Sequence, residues 1–417
     1  MDKYVDMRIY GMENGGIWGE RVQQELDRRL HSDTTYAFPF SINDHQAFVV
    51  LCKELLQTIS AINQKHISLV NLCYRIPREA RAHFAISSML EEIQQSNEYE
   101  NVHSTRREIW DAIEDLHIEN SDKRFNGMVR KYNLLITETD IPLRNSSDIR
   151  RLYDEFILDE VVRENPSNAP DGVIFRREAA HVVSKHDRII HTGIIPENRI
   201  IETMDQSLAL LNDTEIDPLI RIAVFHYMFG YIHPFYDGNG RMTRFISSYM
   251  LSKVYEKSAC LRMAYVIKDH RSVYQQIFKD TNDERSLGDL TRFVIEFLRF
   301  FESAIDDTHS SLERRFNDYQ YYKQLLAQFI DERSHELSKY ARMLREMLIV
   351  ELFGYSSLDI QQLVSLSGYS SNTVRKGLSL CGDYVWHTED RKKYLWHINL
   401  EALHNRGVQS TTTTSDK

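Results

Sequence analysis

At 417 residues the chain is long enough for two or three compact units, and its formal net charge of -10 argues against broad electrostatic capture of nucleic acid or an anionic membrane, which both draw on clustered Lys and Arg. Cys52, Cys73, Cys260 and Cys381 lie far apart, without metal-site spacing or the density of a disulfide scaffold, and read as reduced, mostly buried thiols. Residues 1–16 hold acidic residues and glycines where an export signal would be basic and then apolar, and no stretch reaches the roughly 18 uncharged apolar residues of a membrane span, so a soluble cytoplasmic protein without membrane contact is expected.

From His45 to Glu114 apolar residues recur at three and four, as in Phe48, Leu51, Leu55 and Ile59, which predicts an N-terminal helical region over 1–95. Ile149, Leu152, Phe156 and Ile157 open a second helical zone, and Asn165, Pro166 and Pro170-Asp171-Gly172 break it. Over 174–193 the branched pairs Val182-Val183 and Ile189-Ile190 flank the polar turn Ser184-Lys185-His186-Asp187, which predicts a small β-hairpin. Helical spacing returns over 200–231 and 241–255, leaving a glycine-rich loop between two helices. Residues 306–345 are polar and charged, and read as a helical connector rather than a core element. Within 346–403 a helix, a turn at Gly368-Tyr369, a second helix, and the pair Tyr384-Val385-Trp386 and Tyr394-Leu395-Trp396 around Glu389-Asp390-Arg391 give the order of a winged helix, with Trp386 and Trp396 as core residues. The tail 404–417, low in complexity from Ser410, is expected to be disordered. The fold class is therefore mainly α.

The loop His233-Pro234-Phe235-Tyr236-Asp237-Gly238-Asn239-Gly240-Arg241-Met242-Thr243-Arg244 concentrates groups that packing alone does not require. Gly238 and Gly240 can take positive φ and bare their amides at the N-terminus of the following helix, which makes an anion cradle. Arg241 and Arg244, three apart, can bind successive phosphates. Asp237 is a hard oxygen ligand of the kind Mg²⁺ takes when phosphates and waters complete its shell. His233, with an ordinary pKa near 6.5, suits a base that takes a proton from an attacking hydroxyl. Phe235 reads as an apolar anchor without a chemical role.

This run resembles the signature of the Fic family, His-x-Phe-x-Asp/Glu-Gly-Asn-Gly-Arg-x-x-Arg, at every defined position, and likeness extends from about Ser96 to about Phe300. The resemblance implies a Fic-type helical bundle over 96–305 with a hairpin flap, acting as a protein adenylyltransferase that moves AMP from ATP onto a Ser, Thr or Tyr hydroxyl with Mg²⁺ or Mn²⁺. It implies His233 as base, Asp237 as metal ligand, Gly238, Asn239 and Gly240 as anion hole, and Arg241 and Arg244 as phosphate ligands. A Doc-like phosphate-transferring branch carries Lys where this chain has Gly240, so AMP transfer is favoured. The flap, with Phe175, Arg176, Val182 and Val183, would align a target segment as an added strand. Tyr274 falls where a family tyrosine lines the base pocket, although Val273 stands where a second tyrosine is frequent, and core packing is the other reading of Tyr274.

Upstream, Ser96-Asn97-Glu98-Tyr99-Glu100-Asn101 resembles the family's inhibitory pattern, Ser/Thr-x-x-x-Glu-Gly/Asn, at 96–101. Ser96 and Glu100 share a helical face, and Glu100 is expected to pair with Arg244 in place of the γ-phosphate. The same glutamate permits the reverse activity, removal of AMP. A different class of function, a DNA-binding regulator acting through the winged helix, is less favoured because residues 356–400 set five cationic residues against four acidic ones. The expected partners are ATP and a target protein, the chain itself being one candidate; the C-terminal module reads as one that contacts protein or organises a homodimer, in preference to nucleic acid.

Overall fold

The computed structural model describes residues 3–16, 19–118, 121–183, 189–332, 335–355, 357–390 and 393–414. The chain is mainly helical, with small antiparallel hairpins. In order, α1 (Met7–Glu13) and α2 (Glu20–Leu30) lead to the hairpin β1 (Thr35–Ile42) and β2 (His45–Val50). Then come α3 (Lys53–Arg75), α4 (Arg78–Tyr99), α5 (Arg106–Glu114), α6 (Asn126–Ile136), α7 (Ser146–Phe156) and α8 (Leu158–Glu164). A second hairpin, β3 (His181–Val183) and β4 (Ile189–Thr192), precedes α9 (Glu197–Leu211), α10 (Pro218–Ile232), α11 (Asn239–Ser252), α12 (Lys257–Cys260), α13 (Met263–Asp269) and α14 (Arg271–Thr281). The long α15 (Thr291–Glu332) is followed by α16 (His335–Ser338), α17 (Ala341–Phe353), α18 (Ile360–Ser367), α19 (Ser371–Cys381), the hairpin β5 (Val385–Asp390) and β6 (Lys393–Ile398), and α20 (Leu400–Thr414). No described helix is long and apolar enough to cross a membrane.

Contacts divide the chain into one unit of residues 1–68 and 89–307 and another of 69–88 and 308–417. Residues 1–68 and 89–95 fall in the first of these and 69–88 in the second. Residues 45–50 are a strand, because Asn43 and Asp44 adopt left-handed φ of 48° and 65° and turn the chain back on itself. Phe48 then donates its N–H to the Gly288 carbonyl at 3.0 Å and accepts from Leu290 N at 2.9 Å. The spacing of Phe48, Leu51 and Leu55 fits a helix and a strand-to-helix junction equally well, and the long-range pairing decides between them. Helical burial begins inside α3, at Leu55, Ile62 and Leu69.

In the first unit, α10 and α11 hold the loop. Asp217 caps α10 by accepting from Leu219 N at 2.8 Å, Pro218 occupies its first turn, and most of its residues are buried on every side. A helix apolar all round has to lie in a core, and each fully buried Phe or Ile contributes about 1.5–3 kcal/mol.

In the second unit the later part of α15 is a core element and not a bare connector: Leu312, Phe316, Tyr319, Leu326 and Phe329 are buried at helical spacing. Asp359 and Gln362 form a capping box on α18, Gly368 ends it at φ 73°, and Ser370 caps α19. The strands β5 and β6 pair from Val385↔Ile398 to Asp390↔Lys393; residues 391 and 392, where the sequence placed the turn's cations, lie outside the described residues. Val385 and Ile398 face inward, so period two turns Trp386 outward. It is 46% exposed and stacks on His397 with centroids 4.1 Å apart, which corrects its assignment to the core, while Trp396 is half-buried. Asn399 accepts from Ala402 N at 3.0 Å at the start of α20, and Leu403 is buried. That helix runs to Thr414 where a disordered tail was expected; only 415–417 lie outside the described residues.

Candidate active site

The ends of α10 and α11 shape the loop. Helix α10 stops because His233 takes φ 51° and ψ 61°, a left-handed conformation, while its N–H still donates to the Phe229 carbonyl at 3.0 Å. The exposed carbonyls of that helix end meet Arg176. Its Nε donates to the His233 carbonyl at 2.8 Å, Nη2 to Ile194 O at 3.0 Å and Ile232 O at 3.4 Å, and Nη1 to Glu178 O at 2.6 Å. Gly193 is required beside it, since an added Cβ would lie 2.4 Å from Arg176 Nη2 and 2.8 Å from His233 Cβ.

Phe235 is wholly buried, stacked on Tyr153 at 3.7 Å and edge-on to Phe175 at 5.4 Å. Asn239 closes the turn: its Oδ1 accepts from Phe235 N at 3.0 Å and its Nδ2 donates to Phe235 O at 2.8 Å. The Asn239 side chain is therefore spent on loop geometry. Gly238 takes positive φ, 82°, at the N-cap of α11. Gly240 does not; it lies inside the helix, where a Cβ would come within 2.0 Å of Glu100 Oε1 and 3.0 Å of Arg244 Nη1. Any side chain there would therefore push the Glu100 carboxylate aside, and backbone conformation does not call for glycine.

The two arginines differ in state. Arg241 is fully buried, and Nε, Nη1 and Nη2 all lack a hydrogen-bond partner among the described residues; the nearest charge is Asp237 Oδ1 at 3.7 Å. A buried guanidinium with open donors is a ready-made anion site, because leaving a charged donor unsatisfied is costly. Arg244, equally buried, is engaged: Nε donates to Ser96 Oγ at 3.0 Å, and Nη2 to Ser96 O at 3.0 Å and Glu100 Oε1 at 2.8 Å. Ser96 and Glu100 thus meet Arg244 from the end of α4. Tyr99, next in sequence to Glu100, stacks under Arg244 at 4.8 Å and under Arg271 at 4.6 Å.

His233 is half-buried, and its pKa is pushed down to about 4 by burial first, then by the neighbouring His191 and the Arg176 cation. The ordinary value near 6.5 expected from the sequence is corrected accordingly; the imidazole is neutral at pH 7. His191 is held by its Nε2 contact with Tyr231 O at 2.7 Å. The Asp237 side chain is 37% exposed, and its backbone carbonyl accepts from Tyr153 Oη at 3.2 Å. Among the described residues no group of three or more His, Cys, Asp or Glu side chains converges as a self-sufficient metal site. One reachable carboxylate fits a divalent ion whose remaining ligands are phosphate oxygens and water, the arrangement typical of Mg²⁺.

Phe175 and Arg176, assigned to a target-docking flap, are both wholly buried. Glu197 accepts from the Ile174 and Phe175 amides at 2.8 and 2.9 Å, so this segment anchors the loop rather than offering a strand edge. The flap hairpin is β3–β4, with Val182 opposite His191 and Val183 opposite Ile189; its turn at 184–188 lies outside the described residues. Tyr274 is buried, with its hydroxyl 2.6 Å from His226 Nε2 and its ring edge-on to Tyr99 at 5.7 Å, so it packs beneath Arg244. His226 also meets Ser247 Oγ at 2.8 Å, and burial pushes its pKa down to about 3. The sequence reading missed Tyr99, Arg271, Tyr153 and His191 as parts of the site. Adjacency to Glu100 was the one local signal, and it pointed only to Tyr99.

Residues 145–251, covering α7 to α11, match the Fic/DOC family. Among solved structures the chain is similar to a Fic family protein from Desulfovibrio desulfuricans, at 19% identity over 87% of this chain and 98% of that one, with a TM-score of 0.52. It also matches a Fic domain-containing signalling protein from Bacteroides thetaiotaomicron (15%, 62% and 95%, TM-score 0.42) and Fic-1 from C. elegans (18%, 62% and 74%, TM-score 0.43). At such identities the first likeness is one of fold, and the other two carry no argument.

Proposed function

We propose that this chain, whose residues 145–251 form a Fic/DOC family domain, is a protein adenylyltransferase that its own α4 holds in a repressed state. Proteins of that family commonly move AMP or another nucleotidyl group onto proteins. The observation that carries the reading is Arg241, a wholly buried cation whose three nitrogens have no hydrogen-bond partner among the described residues, at the N-terminus of α11.

In the proposed reaction the target hydroxyl oxygen attacks the α-phosphorus of ATP, the bond from that phosphorus to the bridging oxygen breaks, and diphosphate leaves. The hydroxyl proton passes to the neutral His233 imidazole. Arg241 and the Gly238–Asn239–Gly240 amides hold phosphate oxygens, and the phosphates' negative charge favours the imidazolium that burial and Arg176 otherwise disfavour. Mg²⁺ or Mn²⁺, bound by Asp237, would neutralise phosphate charge.

Glu100 Oε1 takes the Arg244 Nη2 donor in place of a γ-phosphate, so a carboxylate neutralises a cation capable of bidentate phosphate binding. Removing it takes the carboxylate off that cation and leaves only the two neutral Ser96 contacts, which a triphosphate can outcompete. With radiolabelled ATP, Glu100→Gly is expected to raise AMP incorporation at least tenfold, the scale of one charge-assisted hydrogen bond of about 1.5–3 kcal/mol; His233→Ala in that background abolishes it. Unchanged incorporation in Glu100→Gly removes the repression, and incorporation surviving His233→Ala removes the assigned base. The C-terminal segment 346–403 is proposed as a winged helix that contacts protein or organises a dimer.

A further inference from the structure

Glu92 lies on α4, four residues before Ser96 and eight before Glu100, so the three side chains share one face of the helix. It is wholly buried, an unusual place for a carboxylate, and both of its oxygens are used. Oε1 accepts from Ser248 Oγ on α11 at 3.2 Å, and Oε2 accepts from the Ala264 N–H in the first turn of α13 at 2.8 Å. The helix that supplies Ser248 is the one that supplies Arg244, one turn earlier. We infer that Glu92 is a positioning residue for repression: by tying α4 to α11 and α13 it sets the register in which Ser96 and Glu100 reach Arg244. This rests on the repression proposed above.

A second pin on the same face changes what release means. Glu100 could leave Arg244 by turning its own side chain, but Ser96 contributes a backbone carbonyl as well as a hydroxyl, and that carbonyl leaves only if α4 shifts. Lifting α4 takes Glu92 out of its bonds and into water. The charged and titratable groups facing it are Arg244 on α11, Arg262 before α13, Cys260 at the end of α12 and Tyr132 on α6. Burial outweighs the two arginines and its two hydrogen bonds, and pushes the carboxyl up to about 7 from an ordinary 4.5. A raised carboxyl pKa in the closed state favours closure at low pH, an advantage lost as pH rises from 4.5 through 7. Between pH 6 and pH 8 the released fraction should grow about tenfold.

The test is AMP incorporation by the full chain in four forms: wild type, Glu100→Gly, Glu92→Ala and the double variant. Glu92→Ala is expected to raise incorporation by about tenfold over wild type and to add nothing in the Glu100→Gly background. A fall of equal size in both backgrounds, or no rise over wild type while Glu100→Gly does rise, overturns the inference and leaves the repression standing. If Glu100→Gly itself fails to rise, the repression is what has failed. The conservative Glu92→Gln variant, which keeps one acceptor but cannot titrate, supplies the second reading. The ratio of Glu100→Gly to wild-type rate should fall about tenfold from pH 6 to pH 8, and Glu92→Gln in place of wild type should flatten that ratio. A ratio equally steep with Gln overturns the role given to Glu92.

Discussion

The depressed pKa of His233 makes a prediction about acid tolerance. An imidazole that titrates at 6.5 is only about 9% neutral at pH 5.5, whereas one at about 4 is roughly 97% neutral there. Because burial and the nearby His191 and Arg176 disfavour the imidazolium, the neutral base persists to lower pH, and the acid limb of the rate profile shifts down. The assay is initial diphosphate release by Glu100→Gly at saturating Mg²⁺, from pH 4 to pH 8, on an added acceptor protein. The kcat/KM profile reports the free enzyme and should keep most of its pH 7.5 value at pH 5.5. The kcat profile reports the nucleotide complex, where phosphate charge stabilises the imidazolium, so its acid limb should lie at higher pH than that of kcat/KM. Adding Arg176→Gln should raise the kcat/KM limb by removing a nearby cation. A kcat/KM limb near 6.5, with about a tenfold loss at pH 5.5, would refute the reasoning.

Other expected outcomes follow from packing. Gly240→Ala places a Cβ 2.0 Å from Glu100 Oε1, the end of a side chain that can turn aside, so it should cost the wild type under about 1 kcal/mol in urea unfolding while displacing that carboxylate from Arg244 and raising AMP incorporation; no rise would contradict the contact's role. Phe235→Ala removes a wholly buried ring packed on Tyr153 and Phe175, with an expected loss of about 3–5 kcal/mol. His226 is buried neutral with its pKa down at about 3, so its contribution is full above 6.5 and is lost as pH falls toward 3; at pH 5 the loss is about 2 kcal/mol, and His226→Gln should remove that part of the acid lability measured by urea unfolding. Full-length protein should not retard duplex DNA in a gel even at low salt, although Arg375 and Lys376 on α19 are exposed; retardation that weakens steeply with salt would restore the DNA-binding reading.

Much of the loop was legible because its features are local. A helix end, positive φ at Gly238 and two arginines one turn apart are written within a dozen residues. The pairing of Glu100 with Arg244 spans 144 positions and was reachable only through the resemblance of a short motif, not through periodicity. Arg176 was misread because nothing near it in sequence announces that it would close the carbonyls of Ile194, Ile232 and His233. The Asn239 side chain has a structural use that the loop alone does not announce: it bonds the backbone four residues back. The strand at 45–50 was lost to a pattern shared by two structures, and Trp386 to the assumption that a large ring is inward. Glu92 carries no sequence signal at all. A carboxylate on a helix with other charges looks solvated until Ser248 and Ala264 are placed around it.

The central claim is that Arg241 binds a nucleotide triphosphate that Glu100 keeps from its full set of contacts. Isothermal calorimetry of ATP with Mg²⁺ against wild type, Glu100→Gly, and Glu100→Gly combined with Arg241→Ala tests it without any acceptor protein. Binding should tighten about tenfold or more in Glu100→Gly and disappear when Arg241 is also removed. Uptake that is equal in all three, or absent from all three, would contradict the account.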